Sequence, residues 1–374
     1  MSSTAPLQPS YVFRGHSAPI HAVHFLRDNS RLITGDAEGW TILWDMITRR
    51  PAAAWRPHAA VILGLGSWGD DKIITHGRDS KLHVWLVREQ DEHTLSQAYS
   101  VQEKANHPKP RLLHSLDVHT LNFCSFASVP ARGSDNLLIA VPSVSDGAII
   151  LWSLPFETLL GTVPPVPEDK TGMIMALSLL YHQDRLTIIA GHEAGWVAVY
   201  SEQEDRTWRR IRRCDAAGMP DPKQPVLSVD VWLSNPSIIF YSGADQAINA
   251  ESLDQRAATR FPTGHSGQQS LRIRSDGTIF ATAGWDGRGR VYSASNMNDI
   301  KELAVLKYHT EGCYALDFAK ILPSETEETA SDATSTTNVT RRPTAAQQRA
   351  RKVQRTHWIA LGSKDGRISL WDVF

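Results

Sequence analysis

The string SKDGRISLWDVF occupies residues 363–374. A Gly-bounded acidic turn leads into an alternating strand that closes on Trp371-Asp372. The same arrangement recurs upstream. Gly35-Asp36 leads to Trp44, Asp79 to Trp85, Asp146 to Trp152, Gly195 to Tyr200 and Asp286 to Tyr292. A degenerate copy runs from Asp245 to Glu251, which stands where the others have an aromatic. Successive copies end at 44, 85, 152, 200, 251, 292 and 371, and the two shortest intervals are both 41 residues. Before each turn lies a β-rich run such as Arg31–Thr34, Lys72–Thr75 or Trp358–Leu361, and in most copies a histidine (Gly15-His16, His58, His119, Gly264-His265, His309) lies further upstream. Each signal is weak alone. Seven in one phase specify a repeat architecture.

A period of roughly 40–45 residues with Gly-His, turn Asp and Trp-Asp elements is the WD40 pattern. It predicts an all-β, seven-bladed propeller over residues 11–374, after a flexible stretch at 1–10. Each blade is a small twisted sheet that cannot bury both faces alone, so blades stack around an axis. The last copy supplies only three strands. Tyr11, Val12 and Phe13 are expected to supply the fourth, closing the ring and covering the edge. In typical blades the His, a hydroxyl, the turn Asp and the Trp form a buried hydrogen-bonded set. His58, Thr75, Asp79 and Trp85 fit those positions, as do His309, Ser363, Asp365 and Trp371.

Three polar stretches break the rhythm, at 87–110, 202–225 and 323–355. The last is acidic, then Ser/Thr-rich, then basic, ending in Arg341, Arg342, Arg349, Arg351, Lys352 and Arg355. It has too few large apolar residues to order itself, so a disordered loop within blade seven is expected. Its basic end reads as a solvated surface, with a localisation signal or polyanion contact as the functional reading.

Composition narrows the function. Formal net charge is −1, so no global field draws the chain to nucleic acid or an anionic membrane. No apolar run reaches the length of a membrane span, and the N-terminal residues show no secretion signal. Cys124, Cys214 and Cys313 are far apart and form neither a metal spacing nor a disulfide framework, which points to a reducing compartment. There is no phosphate loop, nucleophile elbow or His-Glu-x-x-His, and Gly284–Gly289 lies between strands where a dinucleotide loop must open a helix. No catalysis, cofactor or metal is expected. Propellers bind partners through loops at the ends of the ring, so turn residues of the types found in binding hot spots are the candidates: Trp40, Arg78, Trp196, Trp285, Arg288 and Lys364. For each Trp, packing between blades is the competing role.

The strings GHSAPIHAVHFL, LITGDAEGWTILWD, GWDGRGRVYSA, LAVLKYHTEGCYALDFA and WIALGSKDGRISLWDVF together resemble the fungal ASTRA-associated protein 1 family, itself similar to the animal G-protein β-subunit-like protein 1. The resemblance covers essentially the whole chain. It implies a non-enzymatic, monomeric subunit of a hetero-complex associated with chromatin. That complex contains a giant kinase-like protein, the co-chaperone trio that matures such kinases, and AAA+ ATPases. It also implies a nuclear location, with a cytoplasmic pool allowed. The competing class is a substrate receptor of a cullin-type ubiquitin ligase. Such receptors often carry Trp-Asp-x-Arg, whereas the copies here read Trp44-Asp45-Met46-Ile47 and Trp371-Asp372-Val373-Phe374.

Overall fold

The computed structural model describes residues 7–97, 108–119, 123–165, 171–215, 224–233, 237–294, 296–323 and 344–374. Seven four-stranded antiparallel sheets follow one another along the chain. Six are built from four consecutive strands, and the seventh has the order Tyr11–Arg14, Arg367–Asp372, Trp358–Ser363, Cys313–Phe318. Tyr11 pairs with Leu370 and Phe13 with Ile368, so the N-terminal strand closes the ring. The pairing begins at Tyr11, as the sequence suggests, and runs one residue further, to Arg14, while the Ser10 amide adds a bond to the Leu370 carbonyl at 2.8 Å.

The core is distributed between blades. Seven buried apolar clusters each draw residues from two neighbouring sheets, one per interface of a closed ring. The second strand of each blade is covered on both faces, as the uninterrupted burial of Arg31–Asp36 and Trp358–Ser363 shows. That is why these segments read as continuous apolar runs and not as alternating ones.

The three polar stretches are more ordered than their composition suggests. The first holds a short 3-10 helix, Glu89–Thr94, whose Glu92 is buried. Glu92 accepts from Arg31 at 2.9 Å and also pairs with Arg27, tying blade two back to blade one. The second contains the outer strand of blade four, Trp208–Cys214, which pairs with Val197–Glu202. The third is corrected in part. Residues 324–343, including Arg341 and Arg342, lie outside the described residues, but Ala345–Arg355 is an α-helix. Thr344 opens it with a capping box to Gln347, which supplies the local order that composition did not reveal. Val353 packs on the cluster between blades one and seven, and the Trp358 indole donates to the Val353 carbonyl at 2.8 Å.

Asn29 ties down both ends of this insertion. Its amide nitrogen donates to the Lys320 and Gln354 carbonyls at 2.8 and 2.7 Å, and its oxygen accepts from the Lys320 amide at 2.8 Å. Asn29→Ala is expected to cost about 1–3 kcal/mol through the unpaired backbone groups. It should also speed tryptic cleavage after Arg349, Arg351 and Lys352. An unchanged cleavage rate would show that the helix is held elsewhere.

Candidate functional site at the mouth of the central channel

The blade hydrogen-bond sets fix the turns around the channel. In blade two His58 Nδ1 donates to Asp79 at 2.9 Å, since a carboxylate only accepts. His58 Nε2 then receives the Thr75 hydroxyl at 2.8 Å, and that oxygen accepts from the Trp85 indole at 3.0 Å. Blade one repeats the relay with His16, Asp36, Thr34 and Trp44. Blade seven departs from the expected set. His309 meets Asp365 at 2.9 Å, but its other nitrogen meets Ser369 at 2.8 Å, and the Trp371 indole donates to the same oxygen. Leu361 occupies the second-strand position that Thr75 holds in blade two, and Ser369, its cross-strand neighbour, supplies the hydroxyl. Ser363 instead donates to the Glu311 carbonyl at 3.1 Å. Ser369→Ala should therefore cost about 1–3 kcal/mol by stranding His309 and Trp371. Ser363→Ala should cost less, and urea unfolding of the two variants tests the order.

Blades five and six replace the His–Asp pair with Arg–Asp pairs, Arg260 on Asp245 at 2.9 Å and Arg290 on Asp286 at 2.7 Å. Glu251, which takes the place of the closing aromatic, is buried and accepts from the Tyr241 hydroxyl at 2.8 Å. The degenerate copy thus carries a substitute polar pair. The thiols of Cys124, Cys214 and Cys313 are buried and in no disulfide among the described residues, with burial pushing each pKa up.

Six inner strands share one irregularity. The register slips between Ile20 and Ala22, Ile62 and Gly64, Ile174 and Ala176, Val226 and Ser228, Gln268 and Ser270, and Cys313 and Ala315. The skipped residues are His21, Leu63, Met175, Leu227, Gln269 and Tyr314, and all six line a cavity of about 460 Å³ on the ring axis. A bulge frees one residue from the ladder and re-aims its side chain. Repeated around the ring, it builds a collar. In blade three the inner strand Ala127–Pro130 starts late, and Phe123 completes the collar from the preceding loop. The residue after each bulge is Ala, Gly or Ser, which leaves the channel open beneath the collar.

The collar has two halves. Leu63, Phe123, Met175 and Leu227 make an apolar arc on blades two to five. Gln269, Tyr314 and His21 make a polar and aromatic arc on blades six, seven and one. The His21 ring lies 5.3 Å from Tyr314 and 6.4 Å from Phe123. Burial lowers the His21 pKa, so the ring is neutral near pH 7.

Among the sequence candidates, Trp285 and Arg78 belong to this mouth. Trp285 is 45% exposed, lines the channel and donates its indole N–H to Gln269 at 2.9 Å. Gly267, at φ +77°, permits the close approach, since a Cβ there would fall 2.2 Å from the indole. Arg78 lies over the Phe123 ring at 4.4 Å. Arg288 and Lys364 are exposed on the turns of blades six and seven. Trp40 and Trp196 are corrected, being only 4% and 2% exposed. Each follows the turn glycine and immediately precedes a third strand, Thr41–Asp45 or Val197–Glu202, whereas Trp285 stands in the turn itself. Trp196 is sandwiched by His192 at 4.3 Å and Arg213 at 4.4 Å. Sequence reasoning missed the collar. Its signal was present as a large residue, a variable one and a small one at the head of inner strands: Ile-His-Ala, Ile-Leu-Gly, Ile-Met-Ala, Val-Leu-Ser.

The WD domain, G-beta repeat model matches residues 7–45 and 257–293. Each match begins on the outer strand of one blade and runs through three strands of the next, the same offset that closes the ring. Over its length the chain is 41% identical to ASTRA-associated protein 1 of Verticillium alfalfae, covering 98% of this chain and 93% of that one. The chain belongs to the ASTRA-associated protein 1 family. Family members from Penicillium rubens, at 38% identity over 99% of this chain and 98% of theirs, and Schizosaccharomyces pombe, at 31% over 98% and 99%, match as completely.

Proposed function

We infer that this chain is a non-catalytic scaffold subunit of the ASTRA assembly. In this reading it holds the co-chaperone trio, kinase-like proteins and AAA+ ATPases together in kinase maturation and chromatin regulation, chiefly in the nucleus. Family membership over the full length supports the assembly. The observation that carries the scaffold role is the collar. A closed seven-bladed ring is rigid, and its bulges present a partly apolar, partly polar rim that no blade interface uses. Such a rim fits protein contacts, where aromatic and Arg anchors carry most of the binding energy.

The test is a tagged pull-down of the full chain from its native cells at moderate salt, read by mass spectrometry. Recovery of the trio, the large kinase-like proteins and the ATPases supports the reading. Recovery of a cullin adaptor in their place would move the chain to the ligase-receptor class.

A further inference from the structure

We propose that the channel mouth is a socket for one uncharged apolar side chain projected from a segment of a partner protein. The proposal rests on the scaffold reading and names the chemistry of its contact. The cavity, about 460 Å³, falls within the range of sites that enclose a small ligand. Among the described residues no carboxylate lines it, and its titratable lining groups are His21, Tyr314 and Arg272. Arg272, two positions after Ser270 on the same strand, is exposed and its charge acts on Asp230. A lysine entering the mouth would meet no counter-ion. A glutamate would be desolvated against Leu63, Met175 and Leu227, and the two cations nearby, Arg272 and Arg78, are already engaged by Asp230 and the Phe123 ring. An aliphatic or aromatic side chain would lose only water.

The polar arc serves the segment that carries the side chain. Trp285 donates to the Gln269 side-chain oxygen, which orients that amide and leaves its N–H groups to meet a peptide carbonyl. The Phe123 ring, 48% exposed, and the Trp285 indole stand on opposite arcs as the walls. Small residues beneath the collar give depth, and an added Cβ at Gly64 would fall 1.8 Å from the Ser125 hydroxyl. The socket therefore reads side-chain polarity and a nearby peptide group.

The experiment uses the full chain with 13C-methyl methionine, one of whose 6 methionines, Met175, reports from the collar. Met175→Leu assigns the signal. The probes are N-acetyl-leucine methylamide and N-acetyl-phenylalanine methylamide, with the lysine and glutamate analogues as controls. Saturable shifts of the Met175 methyl are expected with the apolar probes, with Kd on the order of 1–10 mM. Charged analogues should bind at least ~10-fold more weakly, about 1.4 kcal/mol. Leu227→Asp and, separately, Phe123→Ala should weaken the apolar probes with melting curves unchanged. No saturable shift, equal shifts from charged probes, or full binding by Leu227→Asp would overturn the proposal. If the pull-down recovers the assembly while the probes fail, the scaffold reading stands and this socket does not. If the probes bind while the pull-down returns other proteins, the socket stands and the assembly assignment does not.

Discussion

Deleting residues 1–14 is expected to lower the melting temperature of the whole ring by on the order of 10 °C. The deletion removes a strand registered from Tyr11–Leu370 to Arg14–Arg367 and exposes the edge of Arg367–Asp372. It also removes Phe13, only 1% exposed and 4.9 Å from the Trp44 ring, from the cluster that joins blades seven and one. Phe13→Ala alone should cost about 3–5 kcal/mol. The two variants separate packing from closure. Phe13→Ala keeps the backbone pairing, so its loss should be smaller and its transition should stay cooperative. The deletion opens an interface between blades, and in a ring each blade leans on both neighbours. A deletion variant that melts with the wild type would refute closure by this strand.

The ring was readable in the sequence because its signals are periodic. The turn Asp and closing aromatic mark where strands end, and the β-rich runs mark the doubly covered second strands. Closure followed from counting strands in the last copy. The finer assignments failed where one residue type serves two geometries. A serine two places before Asp365 looks like a blade hydroxyl, but the side chain that reaches His309 comes from the opposite strand. A tryptophan near a turn glycine looks like a surface anchor, but one that follows the glycine, as Trp40 follows Gly39, is buried, and one that precedes it, as Trp285 precedes Gly287, stays exposed in the turn. The collar was hidden because a bulge leaves no residue type of its own. Alternation counts His21 and Leu63 as ordinary strand positions, and only the register reveals that they are extra. The helix Ala345–Arg355 is also tethered from a distance, by Asn29 at the Gln354 carbonyl, which local composition does not encode.

Acid should begin to destabilise the ring near pH 6.5, well above the pH at which its carboxylates titrate. His76 and His192 are both 0% exposed, and neither ring nitrogen of either has a hydrogen-bond partner among the described residues. Burial, with His58 close by, lowers the His76 pKa to about 3, and burial beside Arg213 lowers that of His192 to about 4. Burial also lowers His83 to about 4, where it stacks on His58 at 4.8 Å. The ordinary value in the unfolded chain is about 6.5. Between that value and the folded ones the unfolded state binds more protons, so stability falls as pH falls. The loss begins near pH 6.5, accumulates down to about pH 4 and 3, and then levels off for these groups. His76 and His192 alone remove about 3 kcal/mol per pH unit inside that window. Asp276, held at about 2 by its bonds to Arg274 and Thr278 against the opposing effect of burial, remains ionised throughout it. Against a total stability of about 5–15 kcal/mol, the ring should be largely unfolded by pH 4. Urea midpoints measured from pH 7.5 to 4 test this, and His76→Phe and His192→Phe should each flatten the slope by about one proton. Midpoints that stay level between pH 6.5 and 4.5 would mean that these imidazoles gain protons as readily folded as unfolded.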